Sequence, residues 1–325
     1  MCTAMIYGSK KHHYFGRNLD LERTYGESVV ITPRRFPLSL RSGGEMREHF
    51  AMIGVATVID GYPLYYDAVN EHGLSVAGLN FVGNAHFYSP RGDGTDLAQF
   101  ELLPYILGTC RDTHEARATL SRINLVDTPF SDDLPPSDLH YMLADRSGCA
   151  LVFEPLADGI KIYDNEVGVL TNNPPFPFQL ENLKLYLNVT ASEPTDRFGG
   201  SFELSPSSRG MGAFGLPGDS SSSSRFVRAA FNLANSVISD GECESVSQFF
   251  HLLDSVAQIE GCVRVGGGYE RTQYSSCCNI DAGIYYYKTY SSSRITAVRL
   301  FADSLDGSTL SVFPFDADQY IKYEN

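Results

Sequence analysis

Up to residue 80 the chain is a succession of short apolar runs cut by turn residues, and this cadence narrows the possible folds more than any other feature. Residues 3–7, 14–20, 28–32, 51–59, 64–67 and 74–79 read as strands, with a hairpin turn at Lys10-Lys11-His12-His13 and another turn at Asn70-Glu71-His72-Gly73. The pattern then changes to that of helices over 99–107 and 113–123. The second helix is opened by Asp112 with Glu115 three residues later, which puts Ala116, Leu120 and Ile123 on one face. Strand-like runs return at 140–144, 150–154, 160–163 and 167–171. Helices follow from Arg225 and over 246–257, and strands close the chain at 273–279, 283–289 and 295–301. No repeat, charge block or long linker intervenes. Residues 1–325 are therefore expected to form a single α+β domain, with strand layers inside and two helical segments outside.

Composition limits the partners. Lys and Arg number 25 against 39 Asp and Glu, a net charge of -14, which argues against nucleic acid or an anionic membrane surface. For an anionic substrate, long-range steering is unfavourable, so local arginines are expected to supply the attraction. Seven scattered cysteines without a CxxC pair, and no histidine at zinc-ligand spacing, predict a reducing, cytoplasmic setting and no structural metal. No apolar run is long enough to span a bilayer and no signal-peptide pattern opens the chain, so no membrane association is expected.

The second residue carries the chemistry. Met1-Cys2-Thr3 places a small thiol where removal of Met1 turns Cys2 into the N-terminus. Such a residue holds a nucleophile and a base together, because the α-amino group titrates near neutrality and can take the thiol proton. The hairpin that follows returns Arg17 and Asp20 beside Cys2. Two strands end on asparagine, at Asn80 and at the Asn172-Asn173 pair before two prolines. Amides at such positions are available to a reacting carbonyl. Gly210-Met211-Gly212-Ala213-Phe214-Gly215 is not followed by the Lys-Ser/Thr of a phosphate loop and reads as a turn. Ser220 to Ser224 reads as a loop and N-cap for the helix carrying Arg225.

Taken in order, Met1-Cys2-Thr3, Phe15-Gly16-Arg17-Asn18-Leu19-Asp20, Asn70-Glu71-His72-Gly73-Leu74, Ala77-Gly78-Leu79-Asn80-Phe81, Leu170-Thr171-Asn172 and Ser224-Arg225-Phe226-Val227-Arg228 resemble the choloylglycine hydrolase family. These are N-terminal-nucleophile (Ntn) hydrolases that comprise bile salt hydrolases and penicillin V acylases. The resemblance spans nearly the whole chain. It implies a four-layer αββα sandwich of antiparallel sheets, a homotetramer, and amide hydrolysis without metal or organic cofactor. It implies Cys2 as nucleophile and its amine as base, Asp20 as the carboxylate that orients the amine, and Arg17 as the guanidinium beside the thiol. Asn80 and Asn172 match the oxyanion and amine-positioning groups and Arg225 the second arginine of the site, with the sequence leaving Asn173 open as an alternative to Asn172.

The same resemblance frames the substrate. Asn80 stands where penicillin V acylases more usually carry Tyr, and Leu19, Ile59, Tyr66, Phe130 and Leu134 match pocket positions of bile salt hydrolases. Phe130 and Leu134 lie in a proline-rich loop over 126–138. Taken alone, they read first as residues pinning that loop to the core and second as a lid in contact with an apolar ligand; the resemblance shifts them to ligand contacts. The implied activity is hydrolysis of glycine- or taurine-conjugated bile acids, with penicillin V or a related N-acyl amide as the alternative substrate. A protein that keeps the fold but only binds steroid is the contrasting class. A Cys2→Ser change separates them, since only an enzyme loses turnover while still binding ligand.

Overall fold

The structure is a computed structural model that describes residues 1–9, 11–316 and 318–325. Lys10, part of the expected first hairpin turn, lies outside the described residues. Two antiparallel sheets form the centre. In the first, the strand order is Val169–Leu170, Cys2–Gly8, His13–Leu21, Gly268–Asn279, Ile284–Thr289 and Thr296–Arg299, with Val263–Val265 pairing off this path. The second runs Gly159–Asp164, Ala150–Leu156, Leu139–Ala144, Ser75–Asn80, Tyr62–Asn70, Met52–Ile59, Ser28–Thr32 and Ser311–Pro314.

Helices cover the outer faces. Ser222–Asn235 and Glu242–Asp254 pack on the first sheet, while Leu102–Thr109 and Thr113–Leu120 pack on the second. The strands are buried on both faces, which is why their sequences read as nearly continuous apolar runs. One apolar core fills the space between the sheets and under the first helix pair, and a second lies between the other sheet and its helices. This is the four-layer αββα sandwich of antiparallel sheets.

Local chemistry explains the turns that set the register. In the turn after Tyr62–Asn70, Asn70 Oδ1 accepts from the backbone N–H groups of His72 and Leu74, both at 3.0 Å. Gly73 adopts φ +87°, and a Cβ there would lie 2.8 Å from the Ile280 carbonyl oxygen. Asp112 caps the second helix by accepting from Glu115 N–H at 2.9 Å.

Several elements differ from expectation. That helix ends at Leu120, so Ile123 is buried beyond it rather than on it. The final predicted strand is shorter, Thr296–Arg299, and gives way to a 3-10 turn over Leu300–Ala302. A helix at Phe176–Leu183 follows directly on the two prolines that read only as a terminator, with Pro175 as its N-cap.

Candidate active site

Cys2 begins the first strand and pairs with Leu19 across the hairpin, as Thr3 pairs with Asn18 and Ala4 with Arg17. Alternation along the two strands divides the side chains between faces. Cys2, Arg17 and Leu19 share the face toward the second sheet, while Thr3 and Asp20 share the face toward the helices. The backbone at the start of the strand is reached from both sides.

Arg17 crosses the gap between the sheets. Its Nη1 donates to the Tyr66 carbonyl at 3.0 Å and to the Gly78 carbonyl, while buried Nη2 has no partner. Burial alone would pull this guanidinium down. The acidic side chains around it, Cys2 foremost, then Tyr274, Asp67 and Asp20, hold it above its ordinary value instead. Arg225, from the first turn of the helix Ser222–Asn235, approaches from the other face. Its Nη1 donates to the Cys2 carbonyl at 2.5 Å and to Thr3 Oγ1 at 2.7 Å, and its Nη2 to Asn172 Oδ1 at 2.7 Å. Both arginines are fully buried, so neither is presented at the surface to draw in an anion.

Asn172 is the member of the asparagine pair that meets Cys2. Its Oδ1 accepts from Cys2 N–H at 2.7 Å and its Nδ2 donates to the Asn80 carbonyl at 2.7 Å. Asn173 turns away and donates to the Val82 carbonyl at 2.6 Å. Asn172 is thus committed through both amide atoms, whereas Asn80, the last residue of its strand, is exposed. The two asparagines have separate capacities. Asn172 orients the nitrogen of Cys2, and Asn80 has its amide available for a carbonyl oxygen that acquires charge.

Asp20 is fully buried. Oδ1 accepts from Thr272 Oγ1 at 2.6 Å, while Oδ2 has no partner. Burial raises its pKa, opposed by Arg225, the N-terminal charge and the Thr272 hydrogen bond. Met1 precedes Cys2 in the chain. Its carbonyl accepts from Asp20 N–H at 3.0 Å, and its ammonium group donates to the Asp20 carbonyl at 2.9 Å and pairs with Glu270.

The expected pocket residues divide into two groups. Leu19 is buried opposite Cys2, and Tyr66 lends its carbonyl to Arg17 and shares a 2.9 Å hydroxyl bond with Thr57. Ile59 pairs with Tyr62, whose ring lies 5.8 Å from that of Phe130. Phe130 also packs on Phe100 and Arg41, and Leu134 folds back so that its carbonyl accepts from Phe130 N–H at 3.1 Å. In this structure Phe130 pins its loop to the outer core. Sequence reasoning missed Ser222, whose hydroxyl accepts from Asn172 N–H at 2.8 Å, and Thr272. A serine within a run of five and a single threonine carry no spacing signal.

Residues 2–313 match the profile of the linear amide C-N hydrolases, choloylglycine hydrolase family. The chain belongs to this family. It is 47% identical over 319 residues, covering 98% of both chains, to the bile salt hydrolase/transferase of Lactiplantibacillus plantarum. It is 33% identical to the bile salt hydrolase/transferase of Clostridium perfringens over the full length of both. The crystal structure of the C2A mutant conjugated bile acid hydrolase from C. perfringens superposes with a TM-score of 0.92 at 32% identity, covering all of both chains. Penicillin V acylase from Agrobacterium tumefaciens has a TM-score of 0.76 at 17% identity, covering 99% of this chain and 100% of that one, and shares the fold. The chain is therefore a linear amide C-N hydrolase with the Ntn-hydrolase architecture.

Proposed function

We propose that this chain hydrolyses the amide bond of glycine- or taurine-conjugated bile acids through a thioester on Cys2, after removal of Met1. The observation that carries the reading is the 2.7 Å bond from Cys2 N–H to Asn172 Oδ1, set beside the exposed amide of Asn80. Once Met1 is gone, that nitrogen is the α-amino group. The buried, unpartnered Oδ2 of Asp20 is a second acceptor suited to orienting it.

The Cys2 sulfur bonds to the amide carbonyl carbon, and its proton passes to the α-amino group. Asn80 stabilises the oxyanion. As the C–N bond breaks, the amine delivers the proton to the leaving nitrogen and a thioester remains. Water, deprotonated by the same amine, then attacks. The S–C bond breaks, the acid departs, and sulfur regains the proton. Cys2, Arg17, Asp20, Asn80, Asn172 and Arg225 form the catalytic group, with Leu19, Ile59, Tyr66 and Leu134 serving the acyl portion and Phe130 holding the loop that carries Leu134.

A second outcome is favoured by the names of the L. plantarum and C. perfringens relatives, which join hydrolase to transferase. An amine replacing water at the thioester gives a new amide with the same atom balance. We also propose a cytoplasmic homotetramer. Its support is seven unpaired cysteines and the exposed Leu187, Phe198, Phe202, Leu204 and Phe214, apolar surface that neighbouring subunits would cover.

The test is amino-acid release by protein lacking Met1. Glycine or taurine is expected to appear from conjugated bile acids at least about tenfold faster than penicillin V is cleaved, a margin of about 1.4 kcal/mol in barrier. The reverse ranking sinks the substrate assignment.

A further inference from the structure

His140 lies on the strand Leu139–Ala144, pairs with Leu79, and is completely buried together with Glu154. Each of its contacts leads to one of the two asparagine segments. Nε2 is 2.8 Å from the Thr171 carbonyl, one residue before Asn172. That carbonyl only accepts, so Nε2 carries hydrogen. The ring stacks on Phe81, one residue after Asn80, with centroids 4.1 Å apart and planes 8° from parallel. Nδ1 is 3.1 Å from Glu154 Oε1, which also accepts from Phe176 N–H at 2.9 Å at the start of the helix following Asn172-Asn173. Phe81 N–H is fixed in turn by the Asp138 carbonyl at 2.8 Å.

We propose that His140, oriented by Glu154, is a positioning residue that locks the Asn80 and Asn172 segments into one unit. It touches neither asparagine side chain. It sets the spacing between the strand end that presents the Asn80 amide and the backbone that aims Asn172 at Cys2. A buried polar residue bonded on both ring nitrogens has little freedom, and the segments attached to it share that rigidity. The inference rests on the reading of Asn80 and Asn172 as site groups.

The test pairs His140→Gln, whose amide reaches the Nε2 position and donates to the Thr171 carbonyl, with His140→Asn, which reaches only the Nδ1 position toward Glu154. With a glycine-conjugated bile acid, kcat of His140→Asn is expected to fall roughly 10- to 100-fold, with KM within about twofold. His140→Gln is expected to recover most of that loss, since displacements of about 1 Å cost rates of this order. Alkylation of Cys2 by iodoacetamide should stay within about threefold of the parent in both, because Arg17 and Arg225 are undisturbed. Phe81→Leu removes only the stacked ring. It is expected to lower kcat about tenfold, and it decides the matter if neither His140 variant folds. Equal impairment of the Asn and Gln variants overturns the proposal, as does kcat within threefold of the parent in folded His140→Asn or Phe81→Leu. Asn80→Ala and Asn172→Ala run alongside. If these keep full kcat, the reading of the asparagines fails; if they lose it while His140→Asn does not, only the role of His140 fails.

Discussion

The two ends of the first strand are built in opposite ways. At the Cys2 end, polar groups from both sheets and a helix converge on a few backbone atoms, and almost every donor is committed. At the other end, Ile6, Tyr7 and Gly8 border a cavity of about 940 Å³ that continues along Val227, Ala230 and Phe231 of the helix Ser222–Asn235. This space lies away from Cys2. Volume alone is a poor guide to chemistry here, and the better guide is the convergence of buried, partly unpartnered polar atoms such as Arg17 Nη2 and Asp20 Oδ2.

Substitutions at the two ends sharpen this contrast. Cys2→Ser is expected to reduce turnover on the order of 10⁴-fold while leaving bile-acid binding measurable by calorimetry. Turnover within tenfold of the parent would remove the distinction between the ends. Filling the distant cavity by Ala234→Trp should change kcat and KM less than about twofold, since no group placed at the site borders that space. A drop of tenfold or more would couple the cavity to the chemistry.

The sequence made one side of this comparison far more legible than the other. Period-two alternation in a tight hairpin was enough to bring Arg17 and Asp20 to Cys2, because strand register follows directly from the turn. Asn80 and Arg225 were visible as a strand-ending amide and a helix-opening cation. The choice of Asn172 over Asn173 depended on which amide faces Cys2, and only the fold supplies that contact. His140 and Glu154 sit within apolar strands where a polar residue of either orientation gives the same pattern, so their pairing across 14 residues was invisible. The edge strand Ser311–Pro314 escaped notice because four exposed residues have no buried face to impose a period.

The central claim is that Cys2 acts with its own α-amino group, which a retained Met1 would keep in a peptide bond. Intact-mass measurement on separated active and inactive fractions tests it most directly. Active protein is expected to begin at Cys2, with activity proportional to the fraction lacking Met1. Full activity in protein that wholly retains Met1 would contradict the assignment of the amine as base.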